Sequence, residues 1–181
     1  MLLPESVPSQ KQGQPRLWLL LGDKQGDNGQ VYSVVEALGW DYQLKHLHML
    51  DRYVLGKPPV GPSLAHIDRD RSDPLEPPWP DLIITIGLRP SNVALWIREQ
   101  SGGRTRIVLL GKPSGMMKRF DLIVASAENH FPKLPNVLPV SLPLMRVDEQ
   151  AVAAAATEWR ARLATLPRPL IGVMVGGPTG P

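Results

Sequence analysis

Apolar residues in this chain fall into short runs, each followed by a glycine or polar turn and then by a stretch with helical spacing. Leu17–Leu21 (LWLLL) is apolar at every position and ends at Gly22, which is the pattern of a strand buried on both faces of a parallel sheet. A turn with three glycines, Gly22, Gly26 and Gly29, comes next, and residues 30–38 (QVYSVVEAL) then place apolar side chains at helical spacing before Gly39. Glycine just past the last periodic residue is a helix stop. Strand, glycine turn, helix is the opening of an α/β, Rossmann-like, doubly wound parallel sheet.

The same punctuation recurs downstream. Residues 40–47 alternate and predict a second strand. Residues 57–80, with PPVGP and EPPWP, are too rich in proline for a central strand or long helix. They predict a long surface excursion with one short helix near residues 62–68. Residues 81–87 (DLIITIG) predict a strand. Ser91 then reads as the N-cap of a helix over residues 92–100, stopped by Gly102 and Gly103. Arg106–Leu110, residues 121–125 and Val137–Val140 predict three further strands.

Residues 148–166 are alanine-rich and predict a helix. Residues 170–175 (LIGVMV) then enter Gly176-Gly177-Pro178-Thr179, a repeat of the strand and glycine turn at the start. The expected organisation is a flexible leader over 1–15, an N-terminal Rossmann-like domain over 16–147, a linker helix over 148–167, and over 168–181 the start of a second Rossmann-like domain that is cut short.

Composition narrows the classes. There is no cysteine, which excludes a disulfide framework, a thiolate zinc site and a cysteine nucleophile. A net charge of +3 comes from interleaved charges of both signs, so no basic stripe points to nucleic acid. His46 and His48 would share one strand face; a surface strand carrying two histidines accounts for them better than a metal site does, and no metal is expected. The first residues, MLLPESVPSQKQGQPR, lack the continuous apolar core of a signal peptide. The chain reads as cytoplasmic, with peripheral contact to the inner face of a membrane as an addition.

Ligands of open α/β sheets bind beyond the C-terminal ends of the strands, and several polar loops are expected there. In the first, glycines and a helix start suit an anion and Lys24 can add a charge, although a tight turn without a ligand fits too. Its glycines match neither the Walker nor the G-x-G-x-x-G spacing. In the second, Gly87, Arg89 and Ser91 offer a guanidinium beside helix amides; a solvated arginine and a plain cap fit equally. Lys112 opens a third loop. Glu128, with Asn129 and His130, brings a carboxylate and an imidazole close in sequence. Gly176, Gly177 and Thr179 would cradle a phosphate ahead of a further helix. The tryptophans, Trp18, Trp96 and Trp159 among them, read as packing residues, and no catalytic residue is assigned.

Six blocks in order, GDKQGDNGQ with LG seven residues on, DLIITIGLRPSNVAL, RIVLLGKP, FDLIVASAENH, PNVLP and IGVMVGGP, resemble the elongated-mitochondria (mitochondrial fission) family. That family has many bacterial members and looks like GT-B glycosyltransferases. The resemblance implies the N-terminal, acceptor-side half of a GT-B-like two-domain protein. Gly22, Asp23, Lys24, Gly26, Asn28 and Gln30 would line the inter-domain cleft, with Gly87, Arg89, Ser91, Lys112 and Glu128 on neighbouring loops. Asp27 stands where the family commonly has histidine, and Phe131 replaces the last acid of a block that is often P-E-H-D.

The implied activity is transfer from a nucleotide-sugar, a substrate rather than a cofactor, to an envelope or lipid-linked acceptor, with this chain alone inactive. The alternative is a non-catalytic adaptor that recruits a membrane-remodelling partner, with residues 57–80 as its docking surface.

Overall fold

The computed structural model describes residues 13–113, 115–126, 131–141, 144–145, 147–173 and 175. Expectations for the leader over residues 1–12, for Glu128, Asn129 and His130, and for Gly176, Gly177 and Thr179 lie outside the described residues.

The described residues build a six-stranded sheet from β1 (Leu17–Leu21), β2 (Gln43–His46), β3 (Leu82–Ile86), β4 (Arg106–Leu110), β5 (Leu122–Ser126) and β6 (Val137–Val140). The spatial order is β2-β1-β3-β4-β5-β6, and each neighbouring pair is parallel. The helices are α1 (Gln25–Leu38), α2 (Asp51–Leu55), α3 (Leu88–Gln100) and α4 (Glu149–Leu163). This is the Rossmann-like, doubly wound α/β fold that the run pattern predicts.

Handedness decides which face each connection covers. The step from β1 to β2 runs one way along the sheet, and the later steps run the other way. Right-handed crossovers then lie on opposite faces. Accordingly Val31 and Val35 of α1 pack against Leu17, Leu19 and Leu21. Val93, Ala94, Leu95 and Ile97 of α3 join Trp18 and Leu20 on the other face. Successive β1 residues serve opposite cores because side chains alternate along a strand, and this is why LWLLL is apolar throughout.

Several expectations need correction. Helix α1 begins at Gln25 rather than residue 30, so Gly26 and Gly29 are helical. A Cβ at either would meet no protein atom within 4 Å. Helix α3 begins at Leu88. Ser91 is therefore no cap; it is buried inside the helix and its hydroxyl donates to the Leu88 carbonyl at 2.8 Å. Gly87 is the capping residue, at φ 81 and ψ 165, a conformation that only glycine adopts readily.

Residues 57–80 form no helix near 62–68; the short helix is α2, ahead of the excursion. Nor is the excursion purely superficial. His66 and Ile67 are buried, and Leu64, Leu75 and Trp79 pack on the same core as Trp18. The segment occupies the place of a crossover helix between β2 and β3. Composition hid this, because its apolar residues follow no period.

At the far end α4 is capped by Asp148, whose carboxylate accepts from the Ala151 amide at 3.0 Å. Trp159 on this helix is 47% exposed, unlike Trp18, so it is not a core residue. Residues 170–173 and 175 form no strand. Ile171, Val173 and Val175 are exposed, and no neighbouring strand pairs with them among the described residues. A strand without a partner has no ladder to hold it.

Candidate functional site

Strand order reverses between β1 and β3: β2 lies beyond one and β4 beyond the other. The chain leaves these two strands toward opposite faces, which opens a crevice at their C-terminal ends. A pocket of about 360 Å³ lies there, lined from the first loop, from α2 and its surroundings, and from the β3–α3 turn. Gly22, Asp23, Lys24, Asn28, Gly87 and Arg89 all line it, so two loops that sequence reasoning treated separately form one site.

Other expected residues stand elsewhere. Gly26 and Gln30 sit on α1 without lining the pocket, Ser91 is inside α3, and Lys112 is exposed after β4. Sequence reasoning did not find Asp27 as a wall residue, nor Met49, Val54 and Lys57. Lys57 had no signal, since it opens the proline-rich excursion. Asp27 had one, because it lies between Lys24 and Asn28 in sequence, in the first turn of α1.

Two helices begin at the pocket. Lys24 precedes α1 and Gly87 precedes α3, and neither provides a side-chain cap hydrogen bond. The first amides of a helix lack intrahelical partners and carry partial positive charge, so both helix starts favour an anion. Lys24 and Lys57 are exposed, and neither ammonium has a partner among the described residues. Asp27 supplies a carboxylate on the same wall.

The remaining charged groups are committed to the fold. Asp23 meets the His48 Nδ1 at 3.1 Å and accepts from the Met49 amide at 3.3 Å, which pins the chain after β2 to the first loop. Arg89 is held to the fold through one nitrogen: its Nη2 donates to the carbonyls of Val54 at 3.1 Å and Gly56 at 2.7 Å, while its Nε is buried without a partner among the described residues. Beside it, His66 is fully buried, with Nε2 2.9 Å from the Arg89 carbonyl and its ring edge-on to Tyr53.

Nε2 faces an acceptor and so carries the proton. That leaves Nδ1 bare, buried and without a partner among the described residues. Burial first, opposed by the Arg89 carbonyl and assisted by the Arg89 charge, lowers the His66 pKa below 6.5. The folded protein thus resists a proton that the unfolded chain accepts. Stability should fall as pH drops from about 6.5 toward the lower folded value, with a slope of up to about 1.4 kcal/mol per pH unit. Urea unfolding of wild type and His66→Gln at about pH 7.5, 6.5 and 5.5 checks this. The glutamine keeps a donor for the Arg89 carbonyl, and it should remove this component of acid sensitivity. An equal loss in both proteins would acquit His66.

An open, doubly wound parallel sheet with a pocket at its reversal of strand order is a Rossmann-like α/β domain. The family model for Mitochondrial fission ELM1 matches residues 25–181, which is most of the chain. The chain belongs to the Mitochondrial fission ELM1 family. No curated protein matches it, and no solved structure does. Among the described residues, no helix is long and apolar enough to cross a membrane.

Proposed function

We propose that this chain supplies the acceptor-binding half of a GT-B-like sugar transferase, and that the pocket between β1 and β3 holds the phosphate-bearing end of an envelope or lipid-linked acceptor. The observation that carries the reading is the convergence of two uncapped helix starts with Lys24 and Lys57 on one pocket at the strand-order reversal. A volume of about 360 Å³ lies near the lower end of small-molecule sites, roughly 300–1,000 Å³. That suits a phosphorylated headgroup better than a whole nucleotide-sugar. The nucleotide-sugar is the co-substrate in this reading and binds elsewhere. Asp27 is the wall carboxylate available to take a proton from an acceptor hydroxyl.

Titration with a short-chain polyprenyl phosphate tests the reading. Lys24→Ala combined with Lys57→Ala should weaken binding by about tenfold or more, since hydrogen bonds to charged groups contribute roughly 1.5–3 kcal/mol. The Tm should hold, because both side chains are exposed and have no partner among the described residues. Affinity that ignores both lysines would sink the proposal, as would UDP-glucose competing for the same pocket.

A further inference from the structure

His66 joins two walls of the pocket. Its carbonyl accepts from the amide of Leu50 at 3.1 Å, directly ahead of α2, and its ring stands edge-on to Tyr53 of that helix. Its Nε2 lies 2.9 Å from the carbonyl of Arg89, in the first turn of α3. Arg89 in turn grips α2 through the Val54 and Gly56 carbonyls. Val54 and Lys57 line the pocket on one side of this joint, and Gly87, Leu88 and Arg89 on the other. Two buried nitrogens of the joint, His66 Nδ1 and Arg89 Nε, have no partner among the described residues. Unmatched buried polar atoms are costly, and a helix of five residues adds little stability of its own. Segments held in this way open locally at the lowest cost.

We infer that His66 is a proton-operated latch: its neutral ring holds α2 and Lys57 against the start of α3, and its protonated ring releases them. On the acceptor-binding reading above, the latch regulates the wall of the phosphate seat. The closed joint has no place for the cation. A second N–H, on Nδ1, meets no acceptor among the described residues, and the charge that bears on the ring is the Arg89 guanidinium. The neighbouring carboxylates are engaged elsewhere. Asp68 accepts from the amides of Asp70 and Arg71, and Asp23 is held by His48 and the Met49 amide. On α2, Tyr53 presents its ring, while Asp51 and Arg52 are exposed. In the open joint the ring meets water and titrates near its ordinary value of about 6.5. Protons therefore favour the open form as pH falls below that value. Between about pH 7.5 and 5.5 the open fraction grows by up to about tenfold.

Native-state amide exchange on the full chain, corrected for intrinsic rates, reads the latch. The Leu50 and Tyr53 amides are the reporters, since they bond to the His66 and Leu50 carbonyls. They should open more often than amides of β1 and β3, and up to about tenfold more at pH 5.5 than at pH 7.5. His66→Gln keeps a donor for the Arg89 carbonyl and cannot take the charge, so it should show no such rise. An unchanged opening in wild type overturns the latch, as does a rise that survives in His66→Gln. Opening of the two reporters only together with β1 and β3 also overturns it, because the proton then acts on global stability alone. Should the variant fail to fold, the wild-type comparison between reporters and strands still decides. Saturation with a short-chain polyprenyl phosphate should slow exchange at both reporters, since a ligand that needs Lys57 in place favours the closed wall. No protection, with the pH response intact, leaves the latch standing and overturns the acceptor-binding reading.

Discussion

Trp18→Ala should cost the protein about 3–5 kcal/mol, the range for removing a fully packed aromatic from a core. Trp18 is 2% exposed and sits in β1, between β2 and β3, opposite Ile83 of β3. Its ring meets Trp79 edge-on at 6.2 Å, and Trp79 meets Trp96 at 6.0 Å. Such aromatic pairs contribute beyond their buried area. Lys45 adds a second consequence. Its ammonium lies 4.7 Å from the Trp18 ring centre and donates to the Pro74 carbonyl at 2.8 Å. Burial lowers its pKa, against the opposing pull of Asp73 and Glu76. Without the ring, that charge borders a void, and the excursion it ties to β2 loses a packing partner. Domains are stable by only about 5–15 kcal/mol, so the variant should unfold at much lower urea. Urea unfolding followed by circular dichroism reads the change, with Trp159→Ala as a control expected within about 0.5 kcal/mol because that residue is exposed. A Trp18→Ala loss under about 1 kcal/mol would show that the excursion and sheet do not pack as one core.

The contrast between those two tryptophans shows what the sequence discloses and what it withholds. Both lie in predicted elements, yet only Trp18 has a strand on each side, β2 and β3, and a helix packed against it. Runs ended by glycine were legible to the residue: Leu17–Leu21 and Arg106–Leu110 are strands as expected. Helix starts were less so. Glycine and serine were read as local punctuation, whereas tertiary contacts set the boundaries. The amide of Asn28 holding the Gly22 carbonyl goes with an earlier start for α1, and the φ of 81 at Gly87 starts α3 at Leu88. The excursion over residues 57–80 was misjudged because its core residues are irregularly spaced.

The site was half legible for a related reason. Knowing that ligands sit at strand C-terminal ends picked out the loops after β1 and β3. Joining them required the strand order, which no local pattern encodes. Lys57 became visible only once α2 carried the chain back over the pocket.

Arg89 is where the two levels disagree most, and Arg89→Ala separates them. Read from sequence, a guanidinium beside a helix start is a ligand contact, and its loss should weaken binding while leaving the melting temperature alone. In the structure it closes the C-terminal end of α2, where carbonyls lack helical partners, by holding Val54 and Gly56 with one nitrogen. Hydrogen bonds from a charged donor contribute roughly 1.5–3 kcal/mol, so the variant should lose about that much stability. The damage should be local: amides of residues 51–57 should exchange faster, since a five-residue helix has little to hold it otherwise. Binding of a phosphate ester should also weaken, indirectly, because Lys57 directly follows Gly56 and loses its fixed position. Arg89→Lys keeps the charge but not the geometry that spans two carbonyls, and it should recover only part of the stability. Hydrogen exchange and ligand titration on the same samples decide the matter. Weaker binding with unchanged melting and exchange would make Arg89 a direct ligand contact. Faster exchange at 51–57 alongside weaker binding would make it the post that holds one wall of the pocket in place.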